Sequence, residues 1–168
     1  SYNNGISGIS YSSLKTKGMV VANNYTEKDN ITAYRNCVSP NDYVFLMLGT
    51  NDRSEALNGN KETDAYGWQQ EAKAEIYRIM HYGNKNDLKH ECEVILMCAQ
   101  PCALRTQDYM DMSEIHLRLI EIAREYKLDF IDNYNIFRNL EMSSYSNDNL
   151  HPNSFGHNLI FNNIIATT

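Results

Sequence analysis

The chain has 168 residues, which is enough for one domain with a sizeable hydrophobic core. Its formal net charge is -6 and it carries no basic run or stripe, so a nucleic-acid partner is not expected. No apolar stretch approaches the roughly 20 residues that a membrane span requires. These properties predict a single globular domain over residues 1–168.

The segment from Asn3 to Gly8 is the first candidate functional element. Glycine has no side chain to obstruct a ligand, so the backbone N–H of Gly8 could bind an anion. An ordinary glycine-rich loop that leaves a strand is the alternative, and this segment taken alone favours the loop.

The most apolar strand candidate, Tyr43 to Leu48, is followed by the tetrapeptide Gly49-Thr50-Asn51-Asp52. In open α/β sheets, ligands bind outside the carboxyl ends of the strands, so this tetrapeptide falls on the ligand-binding edge. The Asn51 side-chain amide could donate there to a developing oxyanion. Gly, Asn and Asp are also common turn residues, and a plain turn is an equal alternative.

Two amphipathic helices are predicted in the middle of the chain. Apolar residues at helical spacing from Trp68 to Ile79 indicate the first, and Gly83 is placed to end it. The same spacing from Met112 to Tyr126 indicates the second, with Asp111 and Glu114 spaced as in a capping box.

Two further apolar runs, Glu93 to Cys98 and Leu128 to Ile131, read as buried parallel strands. A last helix is predicted from Pro152 toward Ile165, because proline suits the first helical position. Strands that alternate with helices indicate an α/β domain with a mainly parallel sheet.

Cysteine spacing does not support a metal or redox site. The four cysteines are Cys37, Cys92, Cys98 and Cys102. Structural zinc sites use two close-spaced pairs and redox dithiols usually sit two residues apart, and neither pattern is present. Buried thiols are therefore favoured over a disulfide or a metal site.

The stretch Asp148-Asn149-Leu150-His151-Pro152 is the strongest chemical signal. An acid three residues before a histidine can accept a hydrogen bond from its Nδ1 and fix the tautomer. The histidine Nε2 is then available as a general base. The alternative is an Asp148 that caps the last helix beside a surface His151, and the pentapeptide alone favours that cap.

The three polar segments occur in an order that resembles the SGNH hydrolases, also called GDSL esterases or lipases. Asn3 to Gly8 looks like the second block of that family, Gly49 to Asp52 like the third and Asp148 to His151 like the last. The resemblance covers nearly the whole chain. It implies a flavodoxin-like three-layer α/β/α sandwich.

Carried over residue by residue, the resemblance assigns Gly8 and Asn51 to an oxyanion hole. His151 becomes the general base and Asp148 its orienting acid. Asp52 supports the Asn51 loop. The resemblance implies a Ser-His-Asp mechanism that needs no metal or organic cofactor.

The sequence departs from the family pattern at the nucleophile. The family serine lies in a Gly-Asp-Ser block at the end of the first strand, and no such tripeptide occurs here. No nucleophile is therefore assigned. Since the family's first strand lies inside the sheet, its loss would leave backbone groups unpaired. We therefore expect an incomplete sequence, with the strand supplied by an omitted segment, a second chain or a neighbouring copy, and no activity from the sequence by itself.

The expected activity is hydrolysis of carboxylic esters. The loops 53–64 and 103–108 are expected to rim the pocket, and they are polar, with Arg53, Glu55, Lys61 and Arg105 among their residues. That polarity favours O-acetyl groups on carbohydrate over long acyl chains. One alternative is a non-catalytic glycan-binding module, and another is a generic flavodoxin-like domain whose motifs are only turns and caps.

Overall fold

The computed structural model describes residues 43–53, 65–80, 93–106 and 108–167. Its elements in chain order are β1 (Tyr43–Met47), α1 (Ala65–Met80), β2 (Glu93–Cys98), α2 (Met112–Tyr126), β3 (Asp129–Asp132), α3 (Asn133–Phe137), α4 (Met142–Tyr145) and α5 (Ser154–Thr167). Six features of the sequence prediction lie outside the described residues: Asn3 to Gly8, Cys37, Glu55, Lys61, Gly83 and Cys92.

The described strands form a parallel sheet in the order β1-β2-β3. Phe45 pairs with Ile95, and Ile95 pairs in turn with Asp129. The predicted α/β class is confirmed, and β2 has the predicted bounds. β1 ends one residue earlier than predicted, and β3 is shifted by one residue toward the C-terminus.

Hydrophobic cores cover the two faces of the sheet. On one face, α1 and α2 pack against Val94, Leu96 and Cys98 of β2, all 1% exposed or less. On the other face, the alternate residues Ile95 and Met97 pack in a second cluster, whose other buried members are Ile131, Phe137, Tyr145 and Ile160. Because successive strand residues point to opposite faces, this strand has to be apolar throughout. The result is the expected flavodoxin-like α/β/α arrangement.

β1 differs from the buried strand predicted for it. Tyr43, Phe45 and Met47 are 64%, 48% and 41% exposed, and only Leu46 is buried. β1 lies at one end of the described strand order, and its exposed side chains share the face of Ile95. Apolar composition predicted a strand here, but it did not predict how much of the strand is covered.

Helix α2 begins and ends at polar residues. The Asp111 side chain accepts a hydrogen bond of 2.9 Å from the Glu114 backbone N–H, which confirms the predicted N-cap. Glu114 does not complete the reciprocal box, since its carboxylate binds Arg118 at 3.0 Å. The helix ends at Lys127, which adopts a left-handed conformation with φ of 55°.

A buried histidine links α2 to the end of the sheet. His116 is 7% exposed, and its Nε2 lies 3.0 Å from the Asp132 carboxylate. The imidazole also stacks on Tyr134, with 4.6 Å between ring centroids. Asp132 additionally caps α3 by accepting from the Asn135 backbone N–H at 3.0 Å. This Asp-His pair holds elements together in the core and was not predicted.

Candidate active site

The pair Asp148 and His151 lies in one polar turn between α4 and α5. Nδ1 of His151 lies 2.6 Å from Oδ2 of Asp148. The other carboxylate oxygen, Oδ1, accepts from the backbone N–H groups of Leu150 at 2.9 Å and His151 at 2.7 Å, and from the Ser146 hydroxyl at 3.2 Å. These bonds fix the orientation of the carboxylate toward the imidazole. Asn149 makes the turn possible by adopting a left-handed φ of 61°.

The electrostatics of this turn suit a carboxylate that stays ionised. The hydrogen bond from the His151 side chain, followed by those from the His151 and Leu150 backbone N–H groups, lowers the pKa of Asp148 far below its ordinary value. The His151 side chain is 75% exposed. Within the described residues its Nε2 has no hydrogen-bond partner, so that nitrogen faces solvent and any bound molecule.

The start of α5 excludes a capping role for Asp148. The cap is Asn153, whose side-chain oxygen accepts a 3.0 Å hydrogen bond from the Gly156 backbone N–H. Pro152 therefore precedes the cap and is not the first helical residue, contrary to the prediction. Pro152 instead forms an isolated antiparallel bridge with Ser146, which closes the turn that carries His151.

Gly156 allows α5 to approach this turn closely. A Cβ at this position would lie 2.7 Å from the Tyr145 carbonyl oxygen and 2.8 Å from the Pro152 Cβ. Both neighbours are backbone or ring atoms that cannot rotate away. Only glycine fits here without a shift of the chain.

We expect Gly156→Ala to destabilise the fold by about 1–3 kcal/mol, because overpacking forces backbone shifts. Urea unfolding followed by circular dichroism measures this change. Ser154→Ala, at an exposed position of the same helix, is the matched control and should stay within about 0.5 kcal/mol of the parent. Equal stability of the two variants would contradict the close contact.

The loop after β2 forms hydrogen bonds with the turn that carries His151 and with Tyr145, which precedes this turn. The Gln100 side chain, which is 4% exposed, donates a 2.8 Å hydrogen bond to the Leu150 carbonyl. The Ala103 N–H donates to the Asn149 carbonyl at 2.9 Å, and the Tyr145 hydroxyl donates to the Pro101 carbonyl at 3.1 Å. Three bonds thus hold the turn at the carboxyl end of β2.

The candidate oxyanion residue Asn51 lies in a tight turn directly after β1. Gly49, which begins this turn, has φ of 120°, and a Cβ there would lie 2.8 Å from Ile115 Cγ2. Asn51 is half-buried, whereas Asp52 is only 2% exposed. Because β1 and β2 are parallel, this turn and the loop after β2 lie at the same edge of the sheet.

Arg53 is buried and does not line the pocket rim, contrary to the prediction. It was predicted among exposed polar rim residues, but its side chain and that of Asp108 are both 0% exposed. The guanidinium Nη1 lies 3.3 Å from Asp108 Oδ2, and the other oxygen, Oδ1, binds Arg105 Nη2 at 3.0 Å. A buried charge requires such a partner, and sequence alone gives no signal for a pair 55 residues apart.

The two described cysteines are free thiols. Cys98 is buried at the end of β2 and Cys102 is half-buried. Burial raises the pKa of both thiols, so both remain protonated near neutral pH. Neither has the character of an activated nucleophile.

A cavity of about 360 Å³ lies elsewhere in the described structure. Its lining includes Tyr43, Glu93 and Asp129, each the first residue of its strand. It is therefore at the amino ends of the strands, opposite the edge that carries Asn51. It does not belong to the candidate active site.

The predicted site residues have different outcomes. The Asp148 and His151 side chains are in contact as expected, and the turn of Asn51 lies on the sheet edge where the sequence put it. Gly8 lies outside the described residues. The hydrogen bond from Gln100 to the His151 turn and the buried pair of Arg53 and Asp108 were not predicted.

Comparisons with known proteins identify one family. The model of the family described as "GDSL-like Lipase/Acylhydrolase" matches residues 1–164. A search of curated proteins gave no match. No helix within the described ranges is long and apolar enough to span a membrane.

Several solved structures share the fold. A catalytic serine-to-alanine mutant of the acetylxylan esterase Axe2 from Geobacillus stearothermophilus is 22% identical with a TM-score of 0.65, over 98% of this chain and 70% of that one. A catalytic histidine-to-alanine mutant of Axe2 is 20% identical with the same TM-score and coverage. A putative GDSL-like lipase from Parabacteroides merdae is 20% identical with a TM-score of 0.66, over 99% of this chain and 72% of that one.

Proposed function

Because this chain belongs to the GDSL-like lipase/acylhydrolase family, we propose that it hydrolyses carboxylic esters with His151 as general base and Asp148 as its orienting acid. The observation that supports the proposal is the 2.6 Å contact between His151 Nδ1 and the Asp148 carboxylate. The imidazole of His151 is itself exposed. The contact directs Nε2 outward, where a general base must meet its proton donor.

The proposed reaction follows the usual course of acyl transfer through a serine. His151 Nε2 takes the proton of the serine hydroxyl while the serine oxygen attacks the ester carbonyl. The side-chain amide of Asn51 and the backbone N–H of Gly8 stabilise the resulting oxyanion. His151 then protonates the leaving alcohol, and water releases the acid by the same steps.

The nucleophile is not assigned within the printed sequence, because the sequence contains no Gly-Asp-Ser tripeptide. The buried, protonated thiols of Cys98 and Cys102 do not replace it. We propose that the serine is supplied by protein outside residues 1–168, as a segment of the same protein or as a second chain.

For the substrate, we propose an O-acetyl group on a carbohydrate. The proposal is supported by the similarity to the acetylxylan esterase Axe2, whose fold this chain shares. The polar Arg105 remains partly exposed, with 38% of its side chain accessible, and suits a hydrophilic carrier. The Arg53 side chain is buried and does not contribute to the polarity of the rim.

The test uses protein expressed from the full gene. We expect faster hydrolysis of acetylated xylo-oligosaccharide than of a long-chain lipid ester, and labelling of one serine by a fluorophosphonate probe. Mass spectrometry of the labelled peptide identifies that serine. Absence of labelling and of hydrolysis for both ester classes would reject the esterase proposal, and faster lipid hydrolysis would reject only the substrate class.

A second candidate function is glycan binding without cleavage, which is favoured by the absence of a Gly-Asp-Ser tripeptide. It predicts that acetylated xylo-oligosaccharide binds in isothermal titration calorimetry but is not hydrolysed. It also predicts that no serine reacts with the fluorophosphonate probe.

A further inference from the structure

Arg53 connects segments that are far apart in sequence. Its Nε donates to the Thr50 carbonyl at 3.0 Å, which closes the turn that contains Asn51. Its Nη1 donates to the Ala103 carbonyl at 3.0 Å, in the loop after β2. The Arg53 carbonyl also accepts a 2.7 Å hydrogen bond from the Tyr109 N–H. The side chain therefore ties the turn after β1 to the loop after β2.

Ala103 continues this connection to the third segment. Its carbonyl accepts from Arg53, while its N–H donates to the Asn149 carbonyl at 2.9 Å. Asn149 lies between Asp148 and Leu150 in the turn that carries His151. A continuous path of hydrogen bonds thus runs from the Asn51 turn through Arg53 and Ala103 to the His151 turn.

We propose that Arg53 is a positioning residue that sets the separation between Asn51 and His151 through Ala103. The proposal rests on the proposed function, since the separation matters only if both residues act on one substrate. Arg53 is buried and does not touch substrate. Its effect is transmitted by hydrogen bonds to two backbone carbonyls.

The chemistry of the guanidinium explains why arginine is used at this position. Its planar fork donates from Nε and Nη1 in fixed directions, and the ion pair with Asp108 holds the fork in place. A lysine has one flexible ammonium group and cannot reproduce two donors at these separated positions. Burial of the pair shields both charges from water, so salt screens their attraction only weakly.

The test compares Arg53→Lys with Arg118→Lys, which makes the same change at an arginine that pairs with Glu114 and Glu121 along α2. In the folded protein, we expect Arg53→Lys to shift the NMR amide signals of Ala103, Leu150 and His151. Arg118→Lys should leave them in place. A general loss of stability does not move native-state signals, so this readout separates positioning from folding. Unshifted Leu150 and His151 signals in folded Arg53→Lys would overturn the proposal.

Kinetics of the full-gene protein provide the second readout. Misplacement of a catalytic group by about 1 Å can cost around 100-fold in rate, so we expect Arg53→Lys to lower kcat by about 10- to 100-fold with little change in KM. An unchanged kcat in an active Arg53→Lys variant would also overturn the proposal. Shifted signals without ester hydrolysis in the parent would instead reject the proposed function. They would still support the connection of the two turns by hydrogen bonds through Ala103.

If Arg53→Lys does not fold, hydrogen exchange in the parent protein tests whether the connection through Ala103 is maintained. The Ala103 N–H, bonded to Asn149, should exchange more slowly than the N–H of exposed Leu104. Equal exchange at the two amides would overturn the proposal, since it would mean that the connection is not maintained in solution.

Discussion

His151→Ala should lower kcat for ester hydrolysis by about 10²- to 10⁴-fold in the full-gene protein, because the proton acceptor for the attacking hydroxyl is removed. The stability should change by less than about 0.5 kcal/mol, since the imidazole is 75% exposed. Steady-state kinetics and urea unfolding of the same preparation measure the two quantities.

His157→Ala is the control for this experiment. His157 is exposed on α5, only six positions further along the chain, and we assign it no catalytic role. Its replacement should leave kcat unchanged. If the two variants lost the same activity, or if His151→Ala retained full activity, His151 would not be the general base.

Asp108→Asn should destabilise the protein by about 3–5 kcal/mol, because it leaves the Arg53 guanidinium buried without its carboxylate. Burial by itself raises the pKa of Asp108, but the hydrogen bonds from Arg105 and the charge of Arg53 outweigh it and lower the pKa. The ionised form is therefore the one that the fold stabilises.

The direction of the pH dependence follows from this lowered pKa. The stabilisation from Asp108 is fully present above the ordinary carboxyl pKa of about 4, and it is lost as the pH falls through the lower pKa of the folded state. Urea unfolding at pH 7 and at a series of values below 4 should show stability that decreases with acid. The decrease should be smaller in Asp108→Asn.

Glu125→Gln is the matched control for Asp108→Asn. Glu125 pairs with Lys73 at 2.6 Å, but its side chain is 51% exposed. Exposed pairs contribute about 0–1 kcal/mol, so this variant should unfold close to the parent. A loss of the same size in both variants would mean that burial does not set the strength of the Arg53–Asp108 pair.

Local sequence determined the features whose partners are neighbours in the chain. The Asp148–His151 contact spans three residues, and the Asp111 cap of α2 also spans three. The alternation of apolar strands with amphipathic helices was enough to predict the parallel α/β sheet. In these cases the backbone itself brings the groups together, so spacing alone carries the information.

Tertiary structure decided which side chains are buried and which residues far apart in the sequence are in contact. Arg53 looked like a loop charge, but its carboxylate partner lies 55 residues away and both side chains are fully shielded. β1 looked like a buried strand, yet Phe45 is 48% exposed, because coverage depends on what packs against a strand. The sequence therefore determined Asp148 and His151 as a local pair. Only the folded chain, by closing hydrogen bonds through Ala103, joined that pair to the turn of Asn51.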